Sequence, residues 1–168
     1  MPSVPLQLWN RPHWELKGDP HAGPFFARLR AAFPAATHLF IEGAGIARDV
    51  DQFLRSAAQP GDYLPARQTI WPRPKQYRLA CTDQNLDALA ALAERHAEPE
   101  LMDHLFVYAG PAALLEYPDA FGGRSCPLCV SADADEQAVR NFAAVLGLEV
   151  LRVGFADIIG AEHDGNEN

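Results

Sequence analysis

The chain has 168 residues, 48% of them hydrophobic, three cysteines and a formal net charge of −8. That length matches one domain able to bury roughly 70% of its unfolded surface, with no need of disulfides or a metal to fold. The composition excludes several classes: acidity argues against direct nucleic-acid binding, no apolar run approaches the ~20 residues of a membrane span, no signal peptide opens the chain, and three cysteines form no disulfide framework. The expectation is a cytoplasmic protein with reduced thiols and no cofactor.

Charge is unevenly placed. Residues 1–78 hold ten basic and six acidic residues, a balance of +4, whereas residues 79–168 hold four basic and sixteen acidic, a balance of −12. Such asymmetry bears on partners and association rate rather than on fold.

Residues 1–24 carry Trp9, Pro12, His13, Trp14, Pro20, His21 and Pro24. They are read as an irregular N-terminal arm. Gly23-Pro24 then opens a helix, with Pro tolerated in the first turn, and Phe26, Leu29 and Phe33 form its buried stripe until Pro34 ends it. Residues 37–42 (THLFIE) are a strand, and a helix with Ile46, Val50, Phe53 and Leu54 on one face follows. The intervening Gly43-Ala44-Gly45 invites comparison with a phosphate-binding loop. Position 48 is Arg, however, so the third glycine of a dinucleotide fingerprint is missing, and no Gly-Lys-Ser/Thr is present. A plain turn is the better reading.

Residues 58–75 form a long connection punctuated by Pro60-Gly61, Pro65, Pro72 and Pro74, and connections of that length inside compact domains are often functional. This one carries Tyr63, Arg67, Trp71, Arg73 and Lys75, residue types enriched at binding hot spots. Trp-Pro-Arg-Pro-Lys is expected to run extended, because each Pro fixes its own φ and disfavours the α region before it. The result would be a small basic and aromatic surface on an acidic protein. The competing reading buries Trp71 at one end of the core.

From residue 76 to 117 the pattern reads β-α-β-β: an alternating strand at 76–81, a helix opened by Asp83 with Leu86, Leu89, Ala90 and Ala93 on one face, and strands at 104–108 and 113–117 joined through Gly110-Pro111. Residues 125–131 are expected as a strand near a sheet edge, since Pro127 cannot donate to a ladder. A helix capped by Asp133, with Glu136 three residues on, Val139, Phe142, Ala143 and Leu146 as its stripe and Gly147 as its stop, precedes a strand at 148–153. Residues 155–159 add a short element, and 161–168 are a polar tail expected to fray.

This order predicts a single α+β domain over residues 1–168: a mixed, mainly antiparallel sheet with helices on one face. Its split β-α-β core resembles ferredoxin-like folds, extended at the N-terminus. A flavodoxin-like doubly wound sheet is the alternative.

Two constellations are weighed for chemistry. Cys126-Pro127-Leu128-Cys129 has the spacing of thiol oxidoreductases and of half of many zinc sites, but the helix that would activate a thiolate starts residues later and no second pair exists. His96, Glu100 and His104 recur every four residues among Glu98 and Asp103, but Pro99 interrupts the helix that would give this spacing meaning. Neither supports a metal.

The function expected is therefore protein–protein interaction or inhibition by surface complementarity, of the kind small acidic immunity-type proteins use in bacteria, toward a partner that is itself basic. The partner-binding residues would be Tyr63, Arg67, Trp71, Arg73 and Lys75 on the long connection and Glu98, Glu100 and Asp103 on the acidic one. The alternative is a small enzyme using His13, His21, His38 or His104 for proton transfer and Arg73 for an anionic substrate. Two of these histidines meeting a carboxylate or a cysteine in one concave pocket would mark the enzyme.

Overall fold

The structure, a computed structural model, describes residues 7–65, 71–122 and 127–164, with the side chains of 160–164 left aside. It is a single α+β domain. The elements in chain order are β1 (His13–Lys17), α1 (Ala22–Ala32), β2 (His38–Gly43), α2 (Arg48–Ala57), β3 (Lys75–Ala80), α3 (Asp83–Ala93), β4 (His104–Ala109), β5 (Ala112–Tyr117), β6 (Leu128–Ser131), α4 (Glu136–Leu146), β7 (Glu149–Val153) and α5 (Phe155–Asp164).

Seven strands form one open sheet in the order β3-β2-β4-β5-β6-β1-β7. Every ladder among them is antiparallel, which disposes of the doubly wound alternative and of a mixed sheet. Two split β-α-β units lie at the two sides. In one, β3, α3 and β4 straddle β2; in the other, β6, α4 and β7 straddle β1. Strands two places apart in an antiparallel sheet run the same way, so each helix can cross between them. Helix α1 then packs between α3 and α4.

Local sequence explains the starts of α3 and α4 and the stop of α4. The Thr82 hydroxyl accepts the Asn85 N–H at 3.2 Å to open α3, and Asp135 Oδ1 accepts the Ala138 N–H at 2.8 Å to open α4. Such a cap contributes about 1 kcal/mol. Gly147 closes α4 in the left-handed region, φ +69°, and Gly110 takes φ +58° at the β4–β5 turn, both conformations that a Cβ disfavours.

Because side chains alternate along a strand, the sheet has two distinct inner surfaces. On the helix side, Leu39, Ile41, Leu79, Leu105, Val107, Leu115 and Val130 meet Phe25, Leu29, Val50, Leu54, Leu89 and Phe142 in one buried cluster. Aromatic edges fill it: the Phe25 ring lies 5.5 Å from Phe26, 5.3 Å from Phe142 and 5.2 Å from Phe121. The opposite surface has a smaller cluster of Phe40, Phe106, Tyr108, Ala113 and Cys129, plugged by Leu8 from the arm and flanked by Tyr63.

Several expectations need correction. Residues 1–24 are not wholly irregular, since β1 lies inside the sheet between β6 and β7. The sequence His-Trp-Glu-Leu-Lys alternates, a signal hidden between Pro12 and Pro20. Strand β6 is interior rather than at an edge: Pro127 precedes it, so all its donors are available to β5 and β1. The α4 cap is Asp135, while the Asp133 N–H is held by the Ser131 hydroxyl at 3.2 Å. Helix α5 runs on to Asp164, through the described part of the expected tail. Residues 71 and 72 lie in a bend and β3 begins at Lys75, so residues 71–75 do not form one extended polyproline run.

Candidate functional site

Register places one set of loops together. Gly43 pairs with Lys75, and Glu42 pairs with both Gln76 and His104, so the exit of β2 and the entrances of β3 and β4 share one end of the sheet. The connection before β3 and the α3–β4 connection, which carry the two halves of the expected partner-binding set, therefore emerge at the same end. Arg67 lies outside the described residues.

Each predicted residue there has a definite setting. Trp71 is 86% exposed, the most solvent-accessible large apolar side chain among those described. It does not plug the core. Arg73 is exposed beside it. Lys75 Nζ sits 3.1 Å from Asp51 Oδ2, an oxygen it shares with Arg55 Nε at 3.1 Å, while Asp51 Oδ1 accepts the Tyr77 hydroxyl. The Tyr77, Lys75 and Arg55 contacts outweigh burial and hold the Asp51 carboxyl below its ordinary range. Tyr63 turns inward, its ring 5.4 Å from Phe40 and its hydroxyl buried with no hydrogen-bond partner among the described residues.

The acidic connection is built around charges that sequence spacing only half disclosed. Despite Pro99, His96 Nδ1 meets Glu100 Oε2 at 3.0 Å. Its Nε2 meets Asp49 Oδ1 at 2.8 Å and Oδ2 at 2.9 Å, in the first turn of α2. Carboxylates only accept, so the ring donates from both nitrogens and is held as the imidazolium. Its pKa is accordingly raised, first by Asp49 and then by Glu100, and that of Asp49 is lowered by the same contact. Arg95 NH2 adds a contact to Asp49 at 3.2 Å. Asp103 Oδ2 accepts the Ala44 N–H at 2.8 Å, so a carboxylate already occupies the donor that a phosphate would require in the Gly43-Ala44-Gly45 turn. Glu98 is half-buried, its carboxylate near Gly122.

The sheet surface opposite α1, α3 and α4 holds a second group of titratable side chains. Cross-strand pairing sets Phe40, Phe106, Glu116, Cys129 and Glu15 in one row. Glu116 is 1% exposed; its Oε1 accepts the Leu8 N–H at 3.1 Å, and its Oε2 is buried with no hydrogen bond of ordinary geometry among the described residues. Burial pushes its pKa up to about 7, against the opposing donation from Leu8 and Gln7. Glu42, fully buried, accepts the Gln76 amide at 3.0 Å.

The histidines of the enzyme alternative are spread over separate places. His13 faces Glu15 at 3.3 Å, His38 faces Arg78 at 3.2 Å, His104 Nδ1 accepts the Asp119 N–H at 2.9 Å, and His21 lines a shallow cleft at the start of α1. Cys126 lies outside the described residues, so the paired thiol reading is not resolved by Cys129, a buried side chain on the sheet surface opposite α1, α3 and α4. Among the described residues no three His, Cys, Asp or Glu side chains are arranged to hold a metal ion, and no helix is long and apolar enough to cross a membrane.

Comparison with protein-family models, with curated proteins and with solved structures finds no match.

Proposed function

We propose that the chain is a protein-binding module that engages its partner through the sheet end carrying Trp71 and Arg73, acting by surface complementarity as an inhibitor or immunity-type protein does. One observation carries this reading: an indole 86% exposed to water, next to an exposed arginine, on a connection whose neighbouring charges are already paired with one another. Trp and Arg are the residues that most often supply binding energy when buried in a partner's pocket. The internally matched charges of Asp49, Asp51, Glu100, Arg95 and Lys75 would then shape the rim. The net charge of −8 favours encounter with a basic surface.

Affinity capture from native extract tests this with wild type, Trp71→Ala and a Glu98→Lys, Glu100→Lys pair. A stoichiometric partner retained by the wild type and lost with Trp71→Ala is the expected result. Equal retention by every variant overturns the assignment of this surface.

A further inference from the structure

The turn formed by residues 7–11 covers part of the sheet surface opposite α1, α3 and α4, and few contacts hold it there. Gln7, Trp9, Asn10 and Arg11 are exposed. Leu8 is the buried one of the five, 1% exposed, in the cluster of Phe40, Phe106, Tyr108, Ala113 and Cys129. No named strand includes the segment, since β1 begins at His13. Its backbone donates instead to one side chain: the Leu8 N–H meets Glu116 Oε1 at 3.1 Å, and the Gln7 N–H donates to the same carboxyl. Trp9 and Asn10 border an open cleft of about 430 Å³ toward Asp157 and Ile158, so that flank offers space to move into. We propose that residues 7–10 are a cover latched by Glu116, which lifts off the sheet without unfolding of the domain and lifts more readily when that carboxyl is ionised.

One apolar plug and one hydrogen-bonded carboxyl make a sparse attachment, and sparse attachments are where proteins open locally at less than the cost of global unfolding. The sign of the response to ionisation follows from burial. With the cover in place Glu116 is 1% exposed, and its Oε2 has no hydrogen bond of ordinary geometry among the described residues. An ionised carboxylate there loses more solvation than the two backbone donors return, whereas lifting the cover gives it back to water.

Neighbouring groups modify this balance without reversing it. Arg11 on the segment and His13 on β1 favour the ionised form. Tyr108 on β4 stays neutral, its own pKa pushed up to about 12 by burial and by Glu116, and His104 on the same strand is turned to the Asp119 N–H. Cys129 on β6 and Glu15 on β1 continue the row beyond Glu116. Burial prevails and pushes the Glu116 pKa from 4.5 up to about 7. Between those values the covered form keeps a proton that the lifted form gives up, so lifting becomes easier as the pH rises through that window.

Native-state hydrogen exchange followed by NMR tests this, with the Leu8 amide set beside that of Val107, a fully buried residue of the interior strand β4. The Leu8 amide is expected to exchange through an opening that low denaturant does not change, and with far less protection than Val107. Corrected for intrinsic exchange, its protection should fall about tenfold or more from pH 5 to pH 8, toward the roughly 300-fold that the gap between 4.5 and about 7 allows. Glu116→Gln should abolish that dependence. Leu8→Ala should raise the opening constant at every pH by about thirtyfold or more, because the plug is lost. A Leu8 amide that exchanges at once at every pH, or only through the denaturant-sensitive opening that exposes Val107, overturns the cover. The same pH dependence in Glu116→Gln as in wild type overturns the latch. Melting temperatures verify that the variants fold, and the wild-type comparison of Leu8 with Val107 decides the existence of the cover without them.

Discussion

The two surfaces of the sheet do different work. The helix side is apolar almost throughout, a single cluster in which six-membered rings meet edge to face. The opposite side sets Glu42, His104, Glu116 and His13, all buried, around a small apolar patch closed by Leu8 and Tyr63. The first kind of surface is made stable by area removed from water, at roughly 25 cal/mol per Å². The second loses part of that gain to desolvation of groups that prefer water. Stability should therefore respond to volume on one side and to protonation on the other.

The largest effect expected is on the helix side. Phe25→Ala removes a fully buried ring that touches Phe26, Phe121 and Phe142, and should cost about 3–5 kcal/mol in a denaturant titration. A loss below about 1 kcal/mol would break the contrast.

Next comes pH. Glu116 has an ordinary carboxyl value of 4.5 when exposed and about 7 in the fold, so between these values the folded state keeps a proton that the unfolded chain has released. The contribution of Glu116 is thus fully present below 4.5 and falls as the pH rises toward 7, by roughly 3 kcal/mol if the whole gap is realised. Glu116→Gln should flatten that fall. His96 works in the same direction over a higher window: its raised pKa gives stability present below 6.5 and lost as the pH passes through the raised value. Melting curves from pH 4 to 8 for Glu116→Gln and His96→Gln should separate the two windows, and superimposable profiles for wild type and Glu116→Gln would remove Glu116 from the account.

Smaller still is Tyr63→Phe. Its hydroxyl is buried without a partner among the described residues, and burial together with the Glu42 and Tyr108 charges pushes its pKa well up. Removing an unsatisfied hydroxyl should leave stability unchanged or raise it by up to about 1 kcal/mol; a clear loss would mean that the oxygen is satisfied in solution. The smallest change is expected for Trp71→Ala, whose exposure predicts a melting curve within about 0.5 kcal/mol of wild type even where binding is lost.

Short-range pattern made much of this fold legible. The stripes of Phe26 and Leu29, of Val50 and Leu54, and of Leu86 and Leu89 are those that the helices bury, and Gly110-Pro111 turns the hairpin as its residues require. What escaped depends on partners distant in sequence. Nothing near His13–Lys17 announces that the strand will be flanked on both sides by strands from the end of the chain. The i,i+4 pair of His96 and Glu100 was visible, but Asp49, which completes the clamp, is 47 residues away. Trp71 illustrates a third limit: composition marked the residue, while only the surrounding packing decides between plug and display.

The interleaving of β1 with β6 and β7 also constrains how the protein is made. The side chain that donates to the His13 carbonyl belongs to Arg152, made 139 residues later. Until residues 128–131 are made, Trp14 and Leu16 have no ladder to join, and the nascent chain must keep that seam unfilled. A fragment ended before Leu128 would lack both neighbours of its opening strand, and one begun after Lys17 would leave a gap between β6 and β7. Strands far apart in the sequence close the same seam, so the sheet becomes complete only when β7 has been delivered.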